Sequence, residues 1–314
     1  TAEAIREYME EVIEENHLAG HIRYHHRVER ARWDSDSALW TLEVRNSVDG
    51  SLRTFTGRFL WMCQGYYRHE KGYTPEWPGM ENFKGDIVHP QEWKEDYDYT
   101  GKRVVVIGSG ATAATVVPAM ADKAAHVTML QRSPTYFAPG ENRNELADSL
   151  RELEIPEEWV HEIVRRRILK DGQEITRRSF EEPEALRDEL IGAAKAYLGP
   201  DYEVDKHFNP SYRPWRQRLA FIPDGDLFKG IAEGKASVVT DEIDCFTENG
   251  IKTRSGEVLE ADLILTATGF NLCILGDIDF TIDGEPLRFE DSYTWLGMLY
   301  SNVPNMCWVF GYLR

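Results

Sequence analysis

Arg103-Val104-Val105-Val106-Ile107-Gly108-Ser109-Gly110-Ala111-Thr112-Ala113-Ala114 decides the fold class. Four consecutive β-branched residues after Arg103 predict a strand buried on both faces, as parallel strands are. A Gly-x-Gly-x-x-Ala turn follows, Gly108 to Ala113. The first glycine allows a tight turn and the second a close backbone approach. Ala113 is small enough for a helix to lie against the strand. Small residues to about Ala121 predict that helix, and His126 to Leu130 predicts the next strand. Such a helix N-terminus presents backbone N–H groups to a pyrophosphate. The competing reading is a tight structural turn without a ligand.

The residues after the second strand select the dinucleotide. Binders of NAD place an acid there, about 20 residues past the glycines, on the ribose hydroxyl. This chain has Gln131-Arg132-Ser133. A guanidinium and a hydroxyl suit a 2′-phosphate, and an acid would repel it. NADPH is therefore expected over NADH, with a surface salt bridge as the competing role for Arg132.

Outward from this unit the chain alternates in character. Ile5, Tyr8, Met9, Val12 and Ile13 form a helical stripe closed by Gly20. Residues 22–33, Leu39 to Val44 and Leu52 to Phe55 read as strands, with a hairpin turn at Asp49-Gly50. Phe59 to Cys63 is an apolar run suited to a central strand, and 72–100 reads as an irregular connection. Residues 141–199 are helical and charged, with Arg165 to Arg167 on a solvated face. Ala236 to Val239, Ile243 to Phe246, Gly250 to Thr253 and Ala261 to Ala267 return to strand, and Trp308 to Arg314 reads as a buried strand. The chain opens inside a helix at Thr1 and nothing closes its last strand, so a fragment is expected.

Composition narrows the function classes. Lys+Arg 36 against Asp+Glu 54 gives a net charge of −18, which disfavours nucleic acid and anionic membranes. No apolar run reaches the roughly 18 residues of a membrane span. Cys63, Cys245, Cys273 and Cys307 make no C-x-x-C pair, so a zinc ribbon, a disulfide scaffold and a dithiol redox site lose support. A reducing cytoplasm is the expected compartment. His25 and His26 point to opposite faces of a strand, so with His21 they make no metal set, and none is expected.

Phe83-Lys84-Gly85-Asp86-Ile87-Val88-His89-Pro90-Gln91-Glu92-Trp93 fits Phe-x-Gly-x-x-x-His-x-x-x-Trp, just ahead of the nucleotide-binding strand. This resembles the fingerprint of Baeyer–Villiger monooxygenases, flavoprotein relatives of the flavin-containing monooxygenases, which usually have Tyr or Phe at the place of Trp93. Lys94 departs from the Pro or Asp usual after that Trp. The likeness extends over nearly the whole chain, through Cys63-Gln64-Gly65-Tyr66-Tyr67, Met129 to Tyr136, Pro214 to Leu219, Pro223 to Phe228, Thr266 to Phe270 and Val303 to Met306. It is strongest to the ethionamide-activating subgroup and poorest over 141–199.

The resemblance implies an α/β fold of two Rossmann-like domains, one for FAD and one for NADPH, with a helical insertion. The flavin domain is incomplete, because its own Gly-x-Gly-x-x-Gly is absent. Residues 1–98 and 269–314 are expected to be its remainder, 99–139 and 212–268 the NADPH domain, and 140–211 the insertion. The implied reaction places one oxygen atom of dioxygen into a ketone, giving an ester or lactone, or onto the sulfur of a sulfide. Arg218 matches the family's active-site arginine, with Arg216 the competing choice. Phe83, Gly85, His89 and Trp93 carry the fingerprint; His89 is read as a histidine bonded to backbone at least as readily as a proton shuttle. Gly65, Gly108, Ser109, Gly110, Ala111, Thr112, Ala113, Arg132, Ser133, Thr268 and Gly269 are the implied cofactor contacts. The alternatives are an amine or sulfide monooxygenase and a non-catalytic NADPH-binding fragment.

Overall fold

The structure, a computed structural model, describes residues 2–309. It divides into two compact units, residues 1–68 with 272–314 and residues 69–271.

The second unit is built on the quoted strand. Arg103–Ile107 lies at the centre of a parallel sheet ordered Ala236–Thr240, His126–Gln131, Arg103–Ile107, Leu263–Thr266, Asp86–Val88. Val106 stands opposite Met129 on one side and Leu265 on the other. The strand's alternation separates two cores. Val104 and Val106 join Ala113, Val117, Leu227 and Phe228 beneath the helices Ala111–Ala121 and Asp226–Ala232. Val105 and Ile107 join Phe246, Ile251 and Leu259 beneath the antiparallel strands Ile243–Thr247, Gly250–Thr253 and Val258–Glu260. A strand covered on both faces needs apolar residues at every position, and 104–107 supplies them.

The sheet's lower edge is fastened by charge. Asp262 Oδ2 accepts from the Arg103 backbone N–H at 2.8 Å and from Nε at 3.0 Å, and Oδ1 accepts from Nη2 at 2.8 Å. The Arg103 guanidinium holds the Asp262 carboxyl down at about 2 from its ordinary 3.8. A depressed carboxylate contributes stability above its unfolded value and loses it as pH falls through the folded value. Denaturation from pH 5 to 2 is therefore expected to show an acid limb between about 3.8 and 2 that Asp262→Asn flattens. An unchanged limb in the variant overturns this assignment.

The helical segment holds Glu145–Glu152, Glu157–Glu181, Pro183–Leu198 and the short Val204–His207. Asn144 caps the first, its Oδ1 accepting from the Ala147 N–H at 2.9 Å. Pro183 opens the third helix, and Glu182 before it leaves helical geometry (φ −134°). Arg165, Arg166 and Arg167 are exposed, the last two paired with Glu162 and Asp171 one turn away.

The first unit is mostly antiparallel. Its sheet runs Glu285–Pro286, Asp279–Ile282, His26–Asp34, Leu39–Asn46, Leu52–Gly57, with Arg30 beside Asp279 in a parallel pairing. Trp33, Trp40 and Phe280 make its aromatic core.

Two expectations change. The Ala2–Glu15 helix forms but buries none of its stripe, and it ends ahead of Gly20. Phe59 to Cys63 is not a central strand: Leu60–Met62 pairs with Met306–Trp308 alone among the described residues, leaving Phe59 and Trp61 exposed. Of the run Trp308 to Arg314, residues 310–314 lie outside the described residues. The compact units divide at 68/69 and 271/272. Residues 69–98 go with the parallel sheet because Asp86–Val88 is its edge strand and Gly72 lies against the His89 ring.

Candidate dinucleotide and fingerprint site

The glycine turn leaves the sheet at the carboxyl end of Arg103–Ile107. Gly108 has φ +126°, and a Cβ there would lie 2.4 Å from the Ala267 carbonyl oxygen. Position and contact both demand glycine. Gly108→Ala is expected to cost at least about 1 kcal/mol, read as a lowered urea midpoint. A midpoint equal to wild type overturns the steric account. Gly110 differs: open space surrounds the site of its Cβ, and no side chain caps the helix that starts at Ala111. Ala111 is exposed, Thr112 half-buried, and Ala113 fully buried in the core. The helix's first N–H groups are thus uncapped by side chains and approachable, as an anion site requires.

Ser109 links this turn to the next strand end. Its Oγ lies 2.9 Å from Thr135 Oγ1 and donates to the Ser133 carbonyl at 3.4 Å. Arg132 and Ser133 are exposed, one and two residues past the strand His126–Gln131. Arg132 has no carboxylate partner among the described residues, so the surface salt bridge has no counterpart here. Gln131 anchors the strand end from inside: buried, it donates through Nε2 to the His207 carbonyl at 2.7 Å and to Thr240 Oγ1 at 2.9 Å.

The fingerprint divides by role. Phe83 packs edge-on against Phe246. Gly85 is glycine because a Cβ would meet the Asp262 carbonyl at 2.5 Å and the Phe83 ring at 2.6 Å. Trp93 is half-buried against Tyr97 and Tyr99. His89 is buried with both ring nitrogens engaged: Nδ1 accepts from the Gln91 N–H at 3.1 Å, so Nε2 carries the proton and donates to the Gly269 carbonyl at 2.9 Å. The tautomer follows from these bonds. A ring so bonded braces two loops.

His89, Pro90 and Gln91 meet Thr112, Ala267, Gly269 and Phe270 around a cleft of about 220 Å³. It opens at the carboxyl ends of the central parallel strands, where open α/β sheets bind ligands. Thr268 Oγ1 donates to the Tyr73 carbonyl at 2.6 Å, and Gly269 takes φ +107°. The structure thus brings together Thr112, His89 and Gly269. Phe83, Gly85 and Trp93 do not line the cleft. Gly65, with φ +72°, belongs to the other unit. Arg218 is exposed in the loop before the strand Ala220–Pro223, also away from the cleft lining.

Sequence reasoning missed Gly72 and Phe270. A Cβ on Gly72 would lie 2.0–2.3 Å from His89 ring atoms, and Phe270 meets that ring edge-on at 6.3 Å. Nothing local marks Gly72, whose need for glycine arises from a residue 17 positions away.

Fold and turn are those of a Rossmann-like α/β unit with a Gly-x-Gly-x-x-Ala turn. Comparison with known sequences goes further: residues 1–139 match the FMO-like model, flavin-binding monooxygenase-like. Over those residues the chain is similar to that family. It is 44% identical over 312 residues to the FAD-containing monooxygenase EthA of Mycolicibacterium smegmatis, covering 98% of this chain and 62% of the relative. It is 42% identical over 312 residues to the probable FAD-binding monooxygenase AlmA of Acinetobacter baylyi, covering 99% and 62%. The chain thus spans about 62% of the length of these relatives. Its fold matches cyclohexanone monooxygenase from Rhodococcus sp. Phi1 bound to NADP+, with TM-score 0.73 at 22% identity over 97% of this chain and 64% of that one. OTEMO in complex with FAD and NADP gives TM-score 0.75 at 22% identity, covering 98% and 64%. No helix among the described residues is long and apolar enough to cross a membrane.

Proposed function

We propose that the full-length protein is an NADPH- and FAD-dependent monooxygenase of the Baeyer–Villiger type, and that residues 69–271 hold its NADPH. One oxygen atom of dioxygen enters a ketone to give an ester or lactone, or is added to a sulfide. The observation carrying this reading is the cleft in which the fingerprint's His89, the helix start at Thr112 and the strand exit at Gly269 converge. Its partners are small molecules and dioxygen, and its compartment the cytoplasm.

The residues present fit one dinucleotide. Gly108 turns the chain, the uncapped N–H groups from Ala111 onward receive the pyrophosphate, and Arg132 with Ser133 receives the 2′-phosphate. His89 fixes Gly269, and with it the cleft wall. When bound, NADPH supplies a hydride. FAD requires a second phosphate cradle, and the chain holds one Gly-x-Gly-x-x-Ala turn. The flavin's cradle is not among these residues, although Gly65 and the parallel pair Leu60–Met62 with Met306–Trp308 have the character of the remainder of such a domain. Arg218 offers a guanidinium without an ion-pair partner among the described residues to negative charge developing on oxygen.

Two measurements test this. Full-length protein given NADPH, dioxygen and a panel of ketones, sulfides and amines should form esters or lactones. Products from sulfides and amines alone would favour the flavin-containing alternative. The 314-residue chain by itself should bind NADPH yet purify colourless. A stoichiometric yellow complex with added FAD would show that the chain builds its flavin site without the glycine turn.

A further inference from the structure

Arg213, just ahead of the arginine pair, is held more elaborately than either member. Its Nη1 donates to the Ser179 carbonyl at 3.2 Å and to Ser179 Oγ at 3.3 Å, and it meets the Pro214 carbonyl at 3.2 Å. Its guanidinium carbon lies 4.0 Å from the centre of the Phe180 ring, a cation–π stack. Ser179 is fully buried in the last turns of the helix Glu157–Glu181, where its own hydroxyl donates to the Thr176 carbonyl at 2.6 Å. Arg213 therefore rivets the loop to the helical segment.

The loop so held is strained. The Arg216 N–H donates to the Arg213 carbonyl at 3.2 Å, closing a four-residue turn with Pro214 second and Trp215 third. Trp215 has φ +66°, a place that such Pro-led turns give to glycine. A bulky residue persists there only where its surroundings over-determine it, and such strain gathers at working sites. Arg216 and Arg218 follow this corner at once, both exposed and without an ion-pair partner among the described residues.

We infer that Arg213 is a positioning residue: by riveting the strained 213–216 turn to the end of helix Glu157–Glu181 it sets the direction in which Arg218 is presented. This rests on the reading of Arg218 given above. It also gives the helical segment a part in oxygen insertion, because the rivet's far end is Ser179 and Phe180.

The test uses full-length protein carrying Arg213→Met, Arg213→Lys, Trp215→Gly, the double variant Arg213→Met with Trp215→Gly, and Arg218→Ala. Three quantities are read: oxygenated product per NADPH consumed, the rate of flavin reduction by NADPH, and hydrogen exchange at the Arg216 amide. Arg213→Met should lower product per NADPH by about tenfold, with hydrogen peroxide replacing it, while reduction stays within about twofold. The Arg216 amide should exchange faster. Adding Trp215→Gly should recover most of the coupling, since glycine holds that corner without the rivet. Arg213→Lys keeps the charge but loses the planar fork, so it should follow Arg213→Met and serves in its place if that variant does not fold. Full coupling in Arg213→Met or Arg213→Lys, with coupling lost in Arg218→Ala, overturns the positioning role alone. Failure of Trp215→Gly to recover coupling overturns the strain argument. Full coupling in Arg218→Ala overturns the underlying reading of that arginine.

Discussion

Arg218→Ala in the full-length protein is expected to cut oxygenated product about 10²–10³-fold, the scale for removing one fixed donor from developing oxyanion charge. Flavin reduction by NADPH should continue, because in the proposed role the guanidinium would act on charge that appears after hydride transfer. The geometry is permissive. Arg218 is exposed in a short loop ahead of Ala220–Pro223, free of the acids that would neutralise it among the described residues. Stopped-flow reduction followed by product analysis separates the two steps. Unaltered ester formation would show that Arg218 does not carry the charge, and Arg216→Ala should then be tried in its place.

Arg132→Ala is expected to remove about 1–3 kcal/mol of the preference for NADPH over NADH, or about 5- to 150-fold in relative affinity. The change should fall on NADPH, since NADH has no 2′-phosphate to lose. Gln131 makes this a clean substitution: buried and bonded to His207 and Thr240, it keeps the strand end in place whatever follows it. Titration of both nucleotides against wild type and variant decides the matter. Equal affinities for the two in the wild type would end the argument, and equal losses for both would make Arg132 a general anchor.

The nucleotide unit was legible because its signals are local. Val104 to Ile107 are apolar at every position, and only a strand covered on both faces requires that. Gly108 and Gly110 follow at the spacing of a phosphate-binding turn, and Arg132 stands where the second strand ends. Elements whose residues pair across distance read less well. Phe59 to Cys63 has a central strand's composition, yet Leu60–Met62 has one neighbour among the described residues, because composition reports apolarity and not the number of partners present. The stripe at Ile5, Tyr8 and Met9 has helical spacing and forms a helix, but periodicity does not say what will cover it, and these residues stay exposed.

Within the site the same division holds. Sequence alone determined the strand, the glycine turn, the missing acid and the fingerprint's residues. Only tertiary structure decided what they do: Gly72 gives the His89 ring room, His89 spends both nitrogens on backbone, and Gly108 must be glycine because Ala267 arrives from another strand. It also decided that Arg213 reaches back to Ser179 and Phe180 across more than 30 residues. A hydrogen bond or a steric limit depends on two groups meeting in space, and a linear pattern records each group but not its distant neighbour.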